Sequence, residues 1–344
     1  MTNRSRLSRA PRHVPLVLTT RGGLPECVHY GSIAVVDERG SLMAGVGDPR
    51  ALNFTRSALK PLQALPFVED GGMERLGFDS QQLALMCASH NGEAVHATIA
   101  QRMLAAADAD ERDLQCGCHV PYFYPHTGTE APSGQRWSPL LHNCSGKHAG
   151  FIAACRLHGQ RVERYLDPAS PVQQRVRDTV RALAGGREMP MGIDGCSAPN
   201  YALPLATLAH AFARLALGRT PALAALAYAM TRHPDLVAGT GRSDLALMQT
   251  GSRPAPGDWV AKVGADGVQA LGIRSKGIGI VVRIADGNAR ALLAATVEVL
   301  QQLGLVGDPA VTPLARWARP AIRNNKGAVT GQVLPVFDLP AVRA

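Results

Sequence analysis

Strand-like patterning occupies both ends of this 344-residue sequence and helical patterning fills its middle, an order that few folds accommodate. Near the start, "VPLVLTT" is a short apolar run, and "GSIAVVDERGSLMAGVG" alternates on either side of an "ERG" turn, as a hairpin does. From Thr55 to about Met248 the apolar residues recur at three and four, for example in "EAVHATIAQRMLAAADADE", "SPVQQRVRDTVRALAGG" and "LPLATLAHAFARLALG". Strands then return as "DWVAKVG", an "ADG" turn, "VQALGI" and "GIGIVVRIADG". Asp286-Gly287-Asn288 then offers a helix cap before the amphipathic "ARALLAATVEVLQQLG". The expected architecture is α/β of the α+β type: one antiparallel sheet built from both termini, flanked by helices, with a helical region inserted. The chain reads as a single unit over 1–344. Its sheet part is 13–55 plus 256–344, its mainly helical part 56–255, and an Arg-rich tail covers 1–12.

Hydrophobic residues make up 46% of the sequence, enough for a large buried core, but aromatics only 5%, so small aliphatic side chains must do most of the packing. No run of 18 or more apolar residues occurs, which argues against a membrane span. The first residues carry Arg4, Arg6, Arg9 and Arg12 without the apolar run of a secretory signal. The formal charge of +9 comes largely from the ends, since residues 1–12 hold four arginines and residues 301–344 five basic against two acidic side chains. The middle is nearly neutral and shows no basic block interleaved with aromatics, so no nucleic-acid partner is expected. Seven cysteines, an odd number in a chain without a secretory signal, suit reduced thiols and a cytoplasmic location.

Five lysines (60, 147, 262, 276 and 326) stand against 31 arginines. Arginine stays protonated, whereas a buried lysine can lose its proton, so each lysine asks whether a neutral amine is needed there. In "TRSALKP", Ser57 and Lys60 are three residues apart at a helix start, with Pro61 in a first turn that needs no N–H from it. A neutral Lys60 amine there could take the Ser57 proton. "MCASHNGE" places Ser89 in a turn, as a proton relay or as ordinary local hydrogen bonding. "AKVG" sets Lys262 on a strand two residues before Gly264, with Lys276 of "SKGIG" as a rival. Ser-x-x-Lys, a later Ser-x-Asn and a distal Lys-x-Gly form the ordered trio of serine acylases.

The stretch "LHNCSGKHAGF" packs Cys144, Ser145, Lys147 and His148 into what reads as a turn around Gly146. Cys144 and His148, with Cys196 of "GIDGCSAPNYALP", are a plausible zinc set, against the alternative of two buried cysteines under glycine-rich turns. "CGCH" (Cys116, Cys118, His119) is a competing cluster.

"TRSALKP", "MCASHNGE", "HNCSGKHAGF", "GIDGCSAPNYALPL" and "MTRHPDLVAGTGRSD", in this order, resemble the asparaginase II family, the rhizobial-type or class 3 L-asparaginases. The likeness covers nearly the whole chain beyond the Arg-rich start, and it implies a fold similar to serine β-lactamases and glutaminases. It implies hydrolysis of L-asparagine to L-aspartate and ammonia by two serine–lysine tandems, Ser57 with Lys60 and Ser89 with Lys262. "AKVGADG" matches the family pattern better than "SKGIG", which prefers Lys262 over Lys276. It further implies zinc held by Cys144, Lys147 and Cys196, where lysine must be neutral and arginine cannot substitute. His148 becomes a nearby polar residue, placed with Arg56, His90 and Asp194 among the substrate-binding groups. A homodimer is expected. The Arg-rich leader and Cys118 have no place in the family pattern. Two rival readings remain open at this stage: a non-catalytic metal- or amino-acid-binding protein on the same scaffold, and a β-lactamase-like amide hydrolase.

Overall fold

The structure, a computed structural model, describes residues 10–340 except Pro254, so most of the Arg-rich tail lies outside the described residues. The chain opens with β1 (Val14–Arg21), β2 (Leu24–Val36) and β3 (Leu42–Val46). A short β4 (Leu52–Phe54) later pairs with β6 (Pro199–Pro204), which also pairs with β5 (Met191–Ile193), giving a small separate sheet. The last strands are β7 (Trp259–Gly264), β8 (Val268–Ile273), β9 (Ile278–Ile284), β10 (Ala321–Arg323) and β11 (Val329–Pro335). The main sheet runs β10-β11-β1-β2-β9-β8-β7, with β3 also on β2. Its pairings are antiparallel, and the β1–β11 and β2–β9 ladders join the two ends of the chain.

Local chemistry explains the connections. The β2–β3 turn is closed by Asp37, whose carboxylate accepts N–H bonds from Arg39 and Ser41, while Gly40 takes a φ of 84°. Helix α1 (Lys60–Glu69) follows a 3₁₀ turn over Arg56–Leu59 and carries Pro61 in its first turn, where the missing N–H costs nothing. Helices α2 (Ser80–Met86), α3 (Ala94–Ala106), α4 (Ser145–Leu157) and α5 (Pro171–Leu183) follow, α3 packing on α4 and α1 on α5. Helices α6 (Leu205–Leu217), α7 (Pro221–Arg232) and α8 (Ser243–Gly251) lead back to the sheet, and α9 (Ala289–Gln302) starts at the Asn288 cap.

Every residue of β8 is buried, so both faces of the sheet are covered there. The alanine-rich α6 lies so close that a Cβ on Gly279 would stand 1.8 Å from the Ala209 carbonyl oxygen, and one on Gly272 2.1 Å from that of Phe212. Small residues on both partners replace the missing aromatics by letting backbones approach, which restores contact density. Helix α9 packs along β1, β8, β9 and β11. Among the described residues no helix is long and apolar enough to cross a membrane.

Candidate active site

Ser57 sits in the 3₁₀ turn that carries the chain from β4 into α1, half-buried, directly after a strained residue. Arg56 has a φ of 49°, a left-handed conformation that costs a non-glycine residue on the order of 1–3 kcal/mol. The Asn200 side chain holds it there, accepting the Arg56 N–H at 3.0 Å and donating to the Arg56 carbonyl at 3.0 Å. Gly264 on β7 makes room for this turn, because a Cβ there would lie 2.8 Å from the Thr55 oxygen.

Three lysines are buried, with Lys60 1%, Lys147 4% and Lys262 0% exposed, whereas Lys276 and Lys326 are exposed on turns. The hydrogen bonds differ from the tandems expected from sequence. Lys60 Nζ donates to Ser89 Oγ at 3.0 Å, to the Asn143 carbonyl at 3.2 Å and to the Ala88 carbonyl. Lys262 Nζ lies against Asp244 Oδ2 at 3.1 Å and donates to the Val263 carbonyl, not to Ser89. The reason is electrostatic: a fully buried ammonium needs a partner, and Asp244 at the start of α8 supplies it. Burial still wins for Lys262, with the nearby Lys60 charge adding to it against Asp244, and its pKa falls to about 8. Asp244 itself is held below its ordinary value: burial opposes this, but Lys262, the Val263 N–H and Gln269 outweigh it.

Ser57, Tyr122, Asn143 and Ala265 line two adjoining cavities at once. The larger, about 740 Å3, also carries Arg56, Asp194, Cys144 and Cys196. The smaller, about 270 Å3, also carries Ser89, Arg242 and Ser243. Asp194 accepts from Arg56 Nε at 2.9 Å, and Arg56 also pairs with Asp266. His90 and His148 do not line either cavity. Both are fully buried: His90 bonds Ser145 Oγ at 2.9 Å and accepts the Gly92 N–H, and His148 Nδ1 meets the Tyr165 hydroxyl at 2.7 Å. They brace the surrounding loops from behind.

The "NCSGKH" stretch is not a turn but the start of α4, with Cys144 at its N-cap. Gly146 is what lets it pack, since a Cβ there would lie 2.2 Å from the Leu85 carbonyl oxygen. This brings Lys147 Nζ to 2.9 Å from Cys196 Sγ. The Cys144 thiol is held well below its ordinary value by its hydrogen bond to Cys196, with Lys60 and Lys147 adding to this against burial. His148 Nε2, buried and without a hydrogen-bond partner among the described residues, neighbours the Cys196 sulfur. Two convergent sulfurs and an amine suit zinc by donor type. Among the described residues no three His, Cys, Asp or Glu side chains form a metal-holding group.

The family described as L-asparaginase II matches residues 17–335. The chain belongs to the L-asparaginase II family. It is thus an asparaginase-type amidohydrolase. No curated protein matches the chain. Among solved structures, a β-lactamase from Mycobacterium bovis is 14% identical, with 79% of this chain and 94% of that chain covered at a TM-score of 0.35. For this asparaginase-family chain, sequence reasoning passed over Asp244, Arg242, Asn143 and Asn200. Asp244 and Arg242 stood inside the quoted "GTGRSD", where a buried-charge partner for Lys262 could have been sought.

Proposed function

We propose that the chain hydrolyses L-asparagine to L-aspartate and ammonia, with Ser57 as the nucleophile. The observation that carries this is the position of Ser57 at the junction of a charged cavity and the cavity of Ser89, with two buried lysines behind it. Arg56 and Asp194 present a cation and an anion to the α-carboxylate and α-ammonium of the substrate. Ser57 Oγ adds to the side-chain amide carbon as its proton passes to the lysine pair. The C–N bond then breaks while Lys60, through Ser89, returns a proton to the departing nitrogen. Water adds to the resulting ester, the C–Oγ bond breaks, and aspartate leaves.

Lys262 with its pKa near 8 is the amine best suited to be neutral at working pH, and it lowers the cost of moving protons at Lys60 next to it. Cys144, Lys147 and Cys196 would hold zinc, which when bound supplies a fixed positive centre beside the charged cavity. About one zinc per chain by elemental analysis is expected, falling in Cys196→Ser. We also propose a cytoplasmic homodimer, for which light scattering is the check. Release of ammonia and aspartate from L-asparagine by the purified chain supports the reading, with β-lactams left intact. Binding without hydrolysis would replace it by a non-catalytic receptor.

A further inference from the structure

The cavity that Ser89 lines extends well beyond what ammonia needs as a leaving group. Its walls also carry Leu292 and Leu293 of α9 and the Trp317 ring, with Arg316 stacked on Trp317. The two cavities differ in chemistry. If the charged end of an aspartyl group lies at Arg56 and Asp194 and its amide carbon at Ser57, its nitrogen points to Ser89 and into the cavity that Leu292, Leu293 and Trp317 also line.

The charges facing this cavity are few. Arg242 donates to the Ser89 carbonyl and Asn91 Oδ1, both at 3.1 Å, and Asp266 pairs with Arg56. His126, lowered to about 4 by burial with Arg242 and Arg316 adding to it, is neutral. Arg316 stacks on Trp317 with 4.4 Å to the ring centroid and donates from Nη2 to the Gly241 carbonyl at 2.9 Å. Its guanidinium has five N–H donors, so several remain for a ligand. An apolar wall ending in a planar cation fits an apolar group that carries a carboxylate.

We propose that the chain also hydrolyses β-aspartyl dipeptides whose second residue is apolar, with that side chain against Leu292, Leu293 and Trp317 and its carboxylate at Arg316. This rests on the asparaginase reading of the same site. The bonds are those of asparagine hydrolysis: Ser57 Oγ joins the β-carbonyl carbon, the C–N bond breaks, and the proton goes to the α-nitrogen of the released amino acid. Water then cleaves the ester to aspartate.

The test compares release of ammonia from L-asparagine, leucine from β-aspartyl-leucine, and 3-methylbutylamine from β-aspartyl-3-methylbutylamide, which lacks the carboxylate. The wild type is expected to release leucine, with a kcat/KM for the dipeptide roughly tenfold above that for the amide, as a charge-assisted contact gives. Arg316→Gln, at an exposed position, should remove that preference without changing the melting temperature. Ammonia without leucine overturns this inference alone, and release of neither overturns the asparaginase reading with it. Equal rates for the dipeptide and the amide would overturn the Arg316 contact and with it the dipeptide class.

Discussion

Lysine is scarce in this chain, and three of its five lysines are the buried ones. Lys60 donates to three acceptors, Ser89 Oγ among them, and an arginine there would retain the charge but could not pass on its proton. Lys60→Arg is expected to lower kcat by ~10²–10⁴-fold in a folded protein, as loss of a positioned proton-transfer group does. Lys326→Arg, on an exposed turn, should change little; ammonia release with dichroism melts checks both. Lys262 adds a pH dependence. Its folded pKa of about 8 lies below its ordinary 10.5, so between these values the unfolded chain binds a proton that the folded chain does not. Stability from this group therefore rises with pH across that window and is least below pH 8. Activity that needs the neutral amine should rise through about pH 8. Asp244→Asn removes the charge that raises Lys262, so the rising limb should move to lower pH. A pH–rate profile reads both, and a limb that stays in place would show that Lys262 does not set it.

Helix α4 shows how a whole element depends on one missing methyl group. In an ordinary helix Gly→Ala stabilises by roughly 0.5–1 kcal/mol. At Gly146 the added Cβ would meet the Leu85 carbonyl at 2.2 Å, a backbone atom that cannot turn aside. Overpacking of that kind costs about 1–3 kcal/mol, so the clash outweighs the propensity. Gly146→Ala should lower the denaturation midpoint and, by shifting the first turn of α4, separate Lys147 from Cys196. Urea unfolding with elemental analysis tests both effects. The sequence could not show this contact, because "NCSGKH" is short, polar and glycine-centred and so reads as a turn. It is the first turn of α4, which packs on α2 and α3.

At the scale of the molecule, the large features were legible because they rest on local periodicity. Alternation at both ends specified the strands, and the β1–β11 and β2–β9 ladders tie those ends together. The helices of the middle followed from spacing at three and four, and the Asn288 cap from its side chain. Long-range pairings stayed hidden. Asp244 and Lys262 are 18 residues apart, Arg56 and Asn200 144, and nothing in either local pattern announces the partner. The small β4-β6-β5 sheet escaped for the same reason, since three-residue strands carry no readable period. What the fold accomplishes is to bring the turn after β4, the turn after α2 and strand β7 to one point, where Ser57 faces two cavities. The measurement that bears most directly on this is kcat for L-asparagine in Ser57→Ala, with the melt recorded on the same sample. The account predicts an unchanged melt and a fall in kcat of roughly 10⁴-fold or more, as for removal of a serine nucleophile. A folded Ser57→Ala protein with kcat within about tenfold of wild type would contradict it.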